Sequence, residues 1–193
     1  HIALDSVAHL QDEIASAVAE VAALPAEKQR IAMADTGLLA PHWPRPYGRE
    51  AGAAEQLLID QELASAGVTR PDLVIGWWAA PTILEHGSRE QIEQFVPATL
   101  RGDVFWCQLF SEPGAGSDLA SLSTKAVLDG DEFVVNGQKV WTSGAHDADV
   151  ILTFVRTDPN AAKHKGISVL MIPTDLPGVV RRPFASACDP DDL

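Results

Sequence analysis

At Asp103 the hydrophobic period of this chain changes. Up to about Leu100, apolar residues recur three and four apart, the period of a helix with one buried face; after Asp103 come short runs rich in β-branched and aromatic residues, punctuated by DG, NG and PG dipeptides. Helices first and strands afterwards cannot interleave as a parallel βαβ sheet requires, so the order predicts a segregated α+β fold. The expectation is an all-α domain over residues 1–103, then a β domain over 104–193.

In the front half Leu4, Val7, Ala8, Ile14, Val18 and Val21 share one stripe. Pro25 begins a second helix through Met33, and Gly37 stops it. APHWPRPYGRE, with three prolines, reads as an ordered loop, because proline fixes φ and withholds a donor. AAEQLLIDQELASAG is a third helix closed by Gly67. Pro71 can start a fourth, LVIGWWAAPTILEHG, whose near-continuous apolarity predicts burial on most sides and whose Pro81 predicts a kink. Ser88 and Gln91 have capping-box spacing for SREQIEQF, and Pro97 is expected to open a short final turn ending at Gly102.

In the rear half strands are expected at VFWCQLFS, TKAVLD, EFVVN, QKVWTS, DVILTFVR and ISVLMIP, with another beginning at VVRRPF. Asn136-Gly137 is the strongest hairpin signal, since a primed two-residue turn needs positive φ.

Charge and cysteine content narrow the partners. A net charge of −13 with no basic block excludes a phosphate-neutralising nucleic-acid binder. The longest apolar stretch, Leu73 to Leu84, is interrupted by Gly76 and Pro81 and is shorter than the roughly 20 residues of a membrane span. Cys107 and Cys188 form neither a metal-ligand spacing nor a disulfide framework, the scattered histidines give metal binding little support, and no leader pattern precedes the first helix; a reducing cytoplasm is the expected compartment.

The densest chemical signal is QLFSEPGAGSDLASLS, residues 108–123, where a strand runs into a bend almost without side-chain bulk. Glycine backbones let a flat or anionic ligand approach closely, and successive N–H groups in a turn make an anion-binding concavity. The spacing is neither GxGxxG nor a Walker loop, so on spacing alone a tight glycine turn is the simpler reading. Trp141 reads equally as core, Ser111 and Ser143 as turn hydroxyls, Asp118 as a cap for the ASL turn and Glu112 as structural.

The ordered blocks FWCQLFSEPGAGSDLASL, DGDEFVVNGQKVWTSGAHDAD and RTDPN…KHKGISVLMIPTDLPGV resemble the middle β domain of the acyl-CoA dehydrogenase family. GLLAPHWPRPYG, QELASAG and AAPTILEHGSREQIEQFVPATLRGD are similar to its N-terminal helical domain. The resemblance covers essentially the whole chain, and it implies an α+β fold in which the β domain over 104–193 is antiparallel and barrel-like and is incomplete at its C-terminal end. It implies FAD as cofactor and an acyl-CoA thioester as substrate, converted to a trans-2-enoyl-CoA: a glutamate removes the α-proton while the β-hydride passes to flavin N5.

Carried over by motif, Gln108, Leu109, Phe110 and Ser111 match the strand that touches the isoalloxazine ring. Gly116 and Ser117 match the turn between flavin and thioester, with Ser117 on the CoA moiety. Trp141, Thr142 and Ser143 match the family's Trp-X-Thr stretch, with Ser143 keeping the hydroxyl and dropping a methyl. Lys163 and Lys165, in the basic KHK loop, are candidates for the CoA nucleotide, against the simpler reading of a solvated loop.

Trp77 and Trp78 fall where the family's acyl cavity has its wall, with core packing as the alternative. The family's catalytic base lies in a C-terminal helical domain, so none is expected in this chain. The resemblance further implies a homo- or hetero-oligomer and an electron-transferring flavoprotein as electron acceptor. A non-catalytic partner subunit and an acyl-CoA oxidase are the alternative readings.

Overall fold

The computed structural model describes residues 4–183. Cys188 and the end of the expected β domain lie outside the described residues. Contacts divide the chain into two units, His1–Asp103 and Val104–Leu193.

The first unit is helical. A 3-10 turn, Leu4–Leu10, leads into α1 (Gln11–Ala22), α2 (Ala26–Asp35), α3 (Ala53–Ser65), α4 (Gly76–His86) and α5 (Arg89–Arg101). Ile14, Val18 and Val21 are buried as the α1 stripe demands, but Val7 is only half-buried and Ala8 is exposed. The 3-10 turn has three residues per turn, which throws its side chains out of phase with the α-helical stripe. Gly37, Gly67 and Gly102 all take positive φ just past helix ends, where glycine carries no Cβ penalty.

Three expectations about the helices are corrected. α4 starts at Gly76 rather than Pro71, because Val74 is turned into the left-handed region at φ 51 and its N–H is taken by Asp72 Oδ1 at 2.8 Å. α4 is also not buried on most sides: Gly76, Ala79, Ala80 and Ile83 form the buried stripe, while Trp78 is 43% exposed. α5 runs unbroken through Pro97. The carbonyl that loses its partner there belongs to the exposed Glu93, where water can replace the missing N–H. The capping box at its start is present: Ser88 Oγ accepts from the Gln91 N–H, and Gln91 Oε1 from the Ser88 N–H. At its other end Arg30 donates to the carbonyls of Leu100 and Thr99 at 2.9 and 3.0 Å, placing a cation at the negative helix terminus.

Among the described residues the second unit is a five-stranded sheet: β1 (Trp106–Leu109), β2 (Lys125–Asp129), β3 (Glu132–Asn136), β4 (Val150–Arg156) and β5 (Ile167–Pro173). β4 is central, with Val150, Ile151, Leu152 and Val155 buried. Cys107, Ala148 and Ile151 form a buried cluster beneath Leu109 and Ile172. The sheet is open, and its pairings are mixed: β2 with β3 and β4 with β5 are antiparallel, β1 and β2 with β4 are parallel.

The hairpin turn is Gly130-Asp131 and not Asn136-Gly137. Register closes at Asp129 opposite Glu132, and of the two turn residues only Gly130 has positive φ, the requirement of a II′ turn. Gly137 serves close approach instead, since a Cβ there would sit 2.2 Å from Thr124 Oγ1. The expected strand QKVWTS does not form, because Gly137 diverts the chain across Thr124 and Trp141 takes φ 61, which no strand tolerates. The described part of VVRRPF is likewise not a strand.

Candidate functional site

β5 pairs with every residue of β4, so β1 and β2 must share the opposite edge. Leu109 lies opposite Thr153 and Lys125 opposite Arg156. The bend between them is therefore an excursion that leaves the sheet edge and rejoins it three residues further along β4. Thr153 Oγ1 holds the departure by donating to the Leu109 carbonyl at 2.9 Å, and the Arg156 N–H holds the return at the Thr124 carbonyl, 2.7 Å.

The neck of the excursion is closed by Glu112, which is only 6% exposed. Its carboxylate accepts from the Ser123 N–H and Oγ, both at 2.7 Å, and from the Thr124 N–H and Lys139 Nζ, both at 2.9 Å. Burial pushes this carboxyl up, but the hydrogen bonds from Thr124, Ser123 and Lys139 outweigh it and hold Glu112 well below the usual range, ionised. Burial draws Lys139 down, against the pull of that carboxylate.

Within the bend, Glu112 and Ala115 exchange backbone hydrogen bonds around Pro113 and Gly114. Gly114, Gly116 and Ser117 are exposed. Neither glycine has positive φ, and a Cβ built on either meets nothing within 4 Å. Folding of this chain therefore does not require glycine at either place. Glycine there leaves the backbone open to approach from outside the chain.

The second segment comes to the same place. The Val140 N–H donates to the Ser111 carbonyl at 3.0 Å, and Lys139 Nζ donates to the Phe110 carbonyl at 3.1 Å. Trp141 follows at φ 61 and 70% exposure, so it is not core. A bulky residue in the left-handed region is strained, and such strain concentrates at functional sites. Thr142 is half-buried and Ser143 exposed. Gln108, Leu109, Phe110 and Ser111 are half-buried, and Phe110 packs its ring on Phe154 with centroids 4.4 Å apart, which leaves its backbone facing Lys139.

The basic loop forms a 3-10 turn, Lys163–Gly166. Arg156 ties it to the end of the bend, donating to the carbonyls of Lys163 and Ala120 at 2.6 and 2.7 Å. Lys163 Nζ lies 3.9 Å from Asp118 Oδ2, next to Ser117. Asp118 makes no side-chain cap to backbone and bonds Ser121 Oγ instead, so the expected cap is replaced by a side-chain contact. Lys165 is exposed and forms no ion pair among the described residues. The structure thus joins residues 110 and 111 to Lys139 and Val140, just before Trp141, and sets Lys163 beside Asp118, the neighbour of Ser117.

Lys139 and Arg156, which do most of this joining, are not legible as site residues in the sequence. Each is a single basic residue in a strand-like run, and only the fold turns it inward.

In the helical unit Trp77 stacks on His42, ring centroids 6.4 Å apart, meets Trp43 edge-on at 6.0 Å, and donates from Nε1 to Asp72 at 2.7 Å. Burial, then the nearby Arg70, lowers the His42 pKa. This cluster packs within its own unit. Among the described residues no group of three or more His, Cys, Asp or Glu could hold a metal, and no helix is long and apolar enough to cross a membrane.

Comparison with known proteins gives the family. Residues 5–103 match the model for the acyl-CoA dehydrogenase N-terminal domain, and residues 107–188 match that for the middle domain. Acyl-CoA dehydrogenase FadE34 of Mycobacterium tuberculosis is 67% identical over 181 residues, which cover 94% of this chain and 26% of that protein. The solved ChsE4–ChsE5 complex from the same organism is similar with a TM-score of 0.68 at 40% identity, over 95% of this chain and 50% of that one. The Tcur3481–Tcur3483 steroid acyl-CoA dehydrogenase is similar with a TM-score of 0.66 at 34% identity, over 97% of this chain and 53% of that one. The chain thus spans a quarter to a half of the proteins it matches. Helical unit, sheet unit and both family models agree along the sequence: the chain belongs to the acyl-CoA dehydrogenase family.

Proposed function

We propose that this chain forms the flavin- and thioester-binding part of an FAD-dependent acyl-CoA dehydrogenase that oxidises an acyl-CoA to its trans-2-enoyl-CoA. The observation that carries the reading is the bare bend at Gly114 to Gly116 and the exposed, strained Trp141 being tied together through Ser111 and Val140. A planar ring laid against both accounts for glycine where the fold does not need it and for an indole where the fold does not bury it.

When bound, the flavin supplies the two-electron oxidant for the acyl Cα–Cβ bond. In this reading the backbone of residues 108–111 and the Ser111 hydroxyl hold one edge of the ring. The Trp141 indole covers a face and excludes water, and the hydroxyl of Ser143, beside Thr142, donates to the ring. Gly116 and Ser117 separate ring from thioester, with Ser117 on the CoA side. Lys163, flanking Asp118, and Lys165 take the CoA phosphates. The base comes from another part of the assembly, as the family resemblance implies.

The likeness to a steroid-processing enzyme and to a two-component complex supports a bulky, ring-containing acyl group and a hetero-oligomeric assembly. An electron-transferring flavoprotein is the proposed acceptor.

The test is purification with native partners and a flavin absorbance spectrum before and after addition of acyl-CoA esters of different bulk. Bleaching of the flavin band under anaerobic conditions is expected, greatest with ring-bearing esters. A colourless assembly would instead support a non-catalytic partner subunit, and rapid reoxidation by O₂ alone an oxidase. Replacing Lys163 and Lys165 by Ala should weaken CoA-ester binding, with the deficit largest at low salt because exposed charges are screened. Unchanged affinity at low salt removes them from the site.

A further inference from the structure

Glu112 and Lys139 are the most deeply buried ion pair in the described residues, with side chains 3% and 4% exposed, and the proposed reaction gives neither a chemical task. Replacing a buried pair by apolar residues is commonly neutral or stabilising, so burying one is a poor way to gain stability. What this pair does gain is geometry. One carboxylate oxygen of Glu112 takes Ser123 twice, closing the bend at its far end, and the other takes Thr124 and Lys139. Lys139 then spends a second donor on the Phe110 carbonyl, one residue before the Ser111 carbonyl that accepts the Val140 N–H. These contacts join three separate stretches: the end of β1, the end of the bend, and the approach to Trp141. No sheet ladder joins the approach to Trp141 to β1, because residues 137–143 form no strand.

We propose that Glu112 and Lys139 are a positioning pair that fixes the segment carrying Trp141 to Ser143 against residues 110–112 and the glycine bend. In the flavin reading given under Proposed function, on which this consequence rests, the pair sets the spacing between the two walls of the ring site without touching the ring. It follows that the pair acts locally: its removal should loosen one junction and leave the sheet as it is.

Residue-resolved amide exchange on the full chain without added flavin tests this directly. The double variant Glu112→Gln/Lys139→Met removes both charges, so no buried charge is left unpaired, and the amide that replaces the carboxylate retains an acceptor oxygen. Exchange of the Val140 amide should accelerate tenfold or more, while amides of β4 and β5 change less than threefold. Lys139→Arg, which keeps the cation, should restore most of the protection. An unchanged Val140 amide overturns the proposal. Equal acceleration throughout β4 and β5 also overturns it, since the pair would then be a general stabiliser.

FAD titration of the same proteins forms a second arm, with at least tenfold weaker binding expected in the double variant. Equal flavin affinity despite a loosened Val140 would show that the junction does not shape the ring site and would overturn the positioning role. A wild-type protein that takes up no flavin, with the exchange pattern as expected, would support the junction and count against the flavin reading itself.

Discussion

At the residue scale, three contrasts separate what the fold needs from what a ligand needs. Removing one partner of a buried ion pair leaves an uncompensated charge, so Lys139→Met alone should cost about 3–5 kcal/mol in denaturant unfolding. The pH dependence has a definite sign. Glu112 is held below its ordinary value of 4.5, so its contribution is complete above that pH and is lost as pH falls toward the folded value. Glu112→Gln should therefore flatten the acid limb of thermal midpoint against pH. An acid limb identical to wild type contradicts the assignment.

Trp141 gives the opposite signature: left-handed φ costs an L residue roughly 1–2 kcal/mol, and this indole is 70% exposed. Trp141→Gly should alter stability by no more than about 1 kcal/mol, where a core Trp truncation costs roughly 3–5, yet it should abolish tight flavin uptake. Calorimetry with a flavin titration checks both. Gly137 and Gly116 form the third contrast. Gly137→Ala drives a Cβ into Thr124 and should cost about 1–3 kcal/mol, whereas Gly116→Ala should leave stability nearly unchanged and weaken flavin binding.

At the element scale, what could be read from the chain and what could not divide along local against non-local physics. The capping box at Ser88, the glycine stops at Gly37, Gly67 and Gly102, and the runs that become β2, β3, β4 and β5 are local signals, and each appears where its residues put it. The failures share one cause. α4 starts late because Asp72 captures the Val74 N–H, and Pro97 fails to break α5 because its orphaned carbonyl faces water. Asn136-Gly137 is not a turn because Thr124, twelve residues before Asn136, presses on Gly137. In each case the deciding partner is another side chain or the solvent, which periodicity does not encode. The parallel pairing of β1 and β2 along one edge of β4 is non-local in the same way. The bend was legible as a bend. Its anchoring by Glu112, Lys139 and Arg156 was not, because a lone charged residue reads as solvated until the fold buries it.

At the scale of the whole molecule, a helical unit and an open mixed sheet account for the division of texture at Asp103. The family match gives the family, and the proposed function puts its chemistry in the sheet unit. In the proposed function the glycine bend and the Trp141 segment face one planar ring. A structure of the flavin-loaded assembly, by diffraction or electron microscopy, measures this most directly. The isoalloxazine is expected to lie against the Gly116 backbone and the Trp141 indole, with the Glu112–Lys139 contact intact behind them. A flavin bound elsewhere, or protein side chains packed between Gly116 and Trp141, would contradict it.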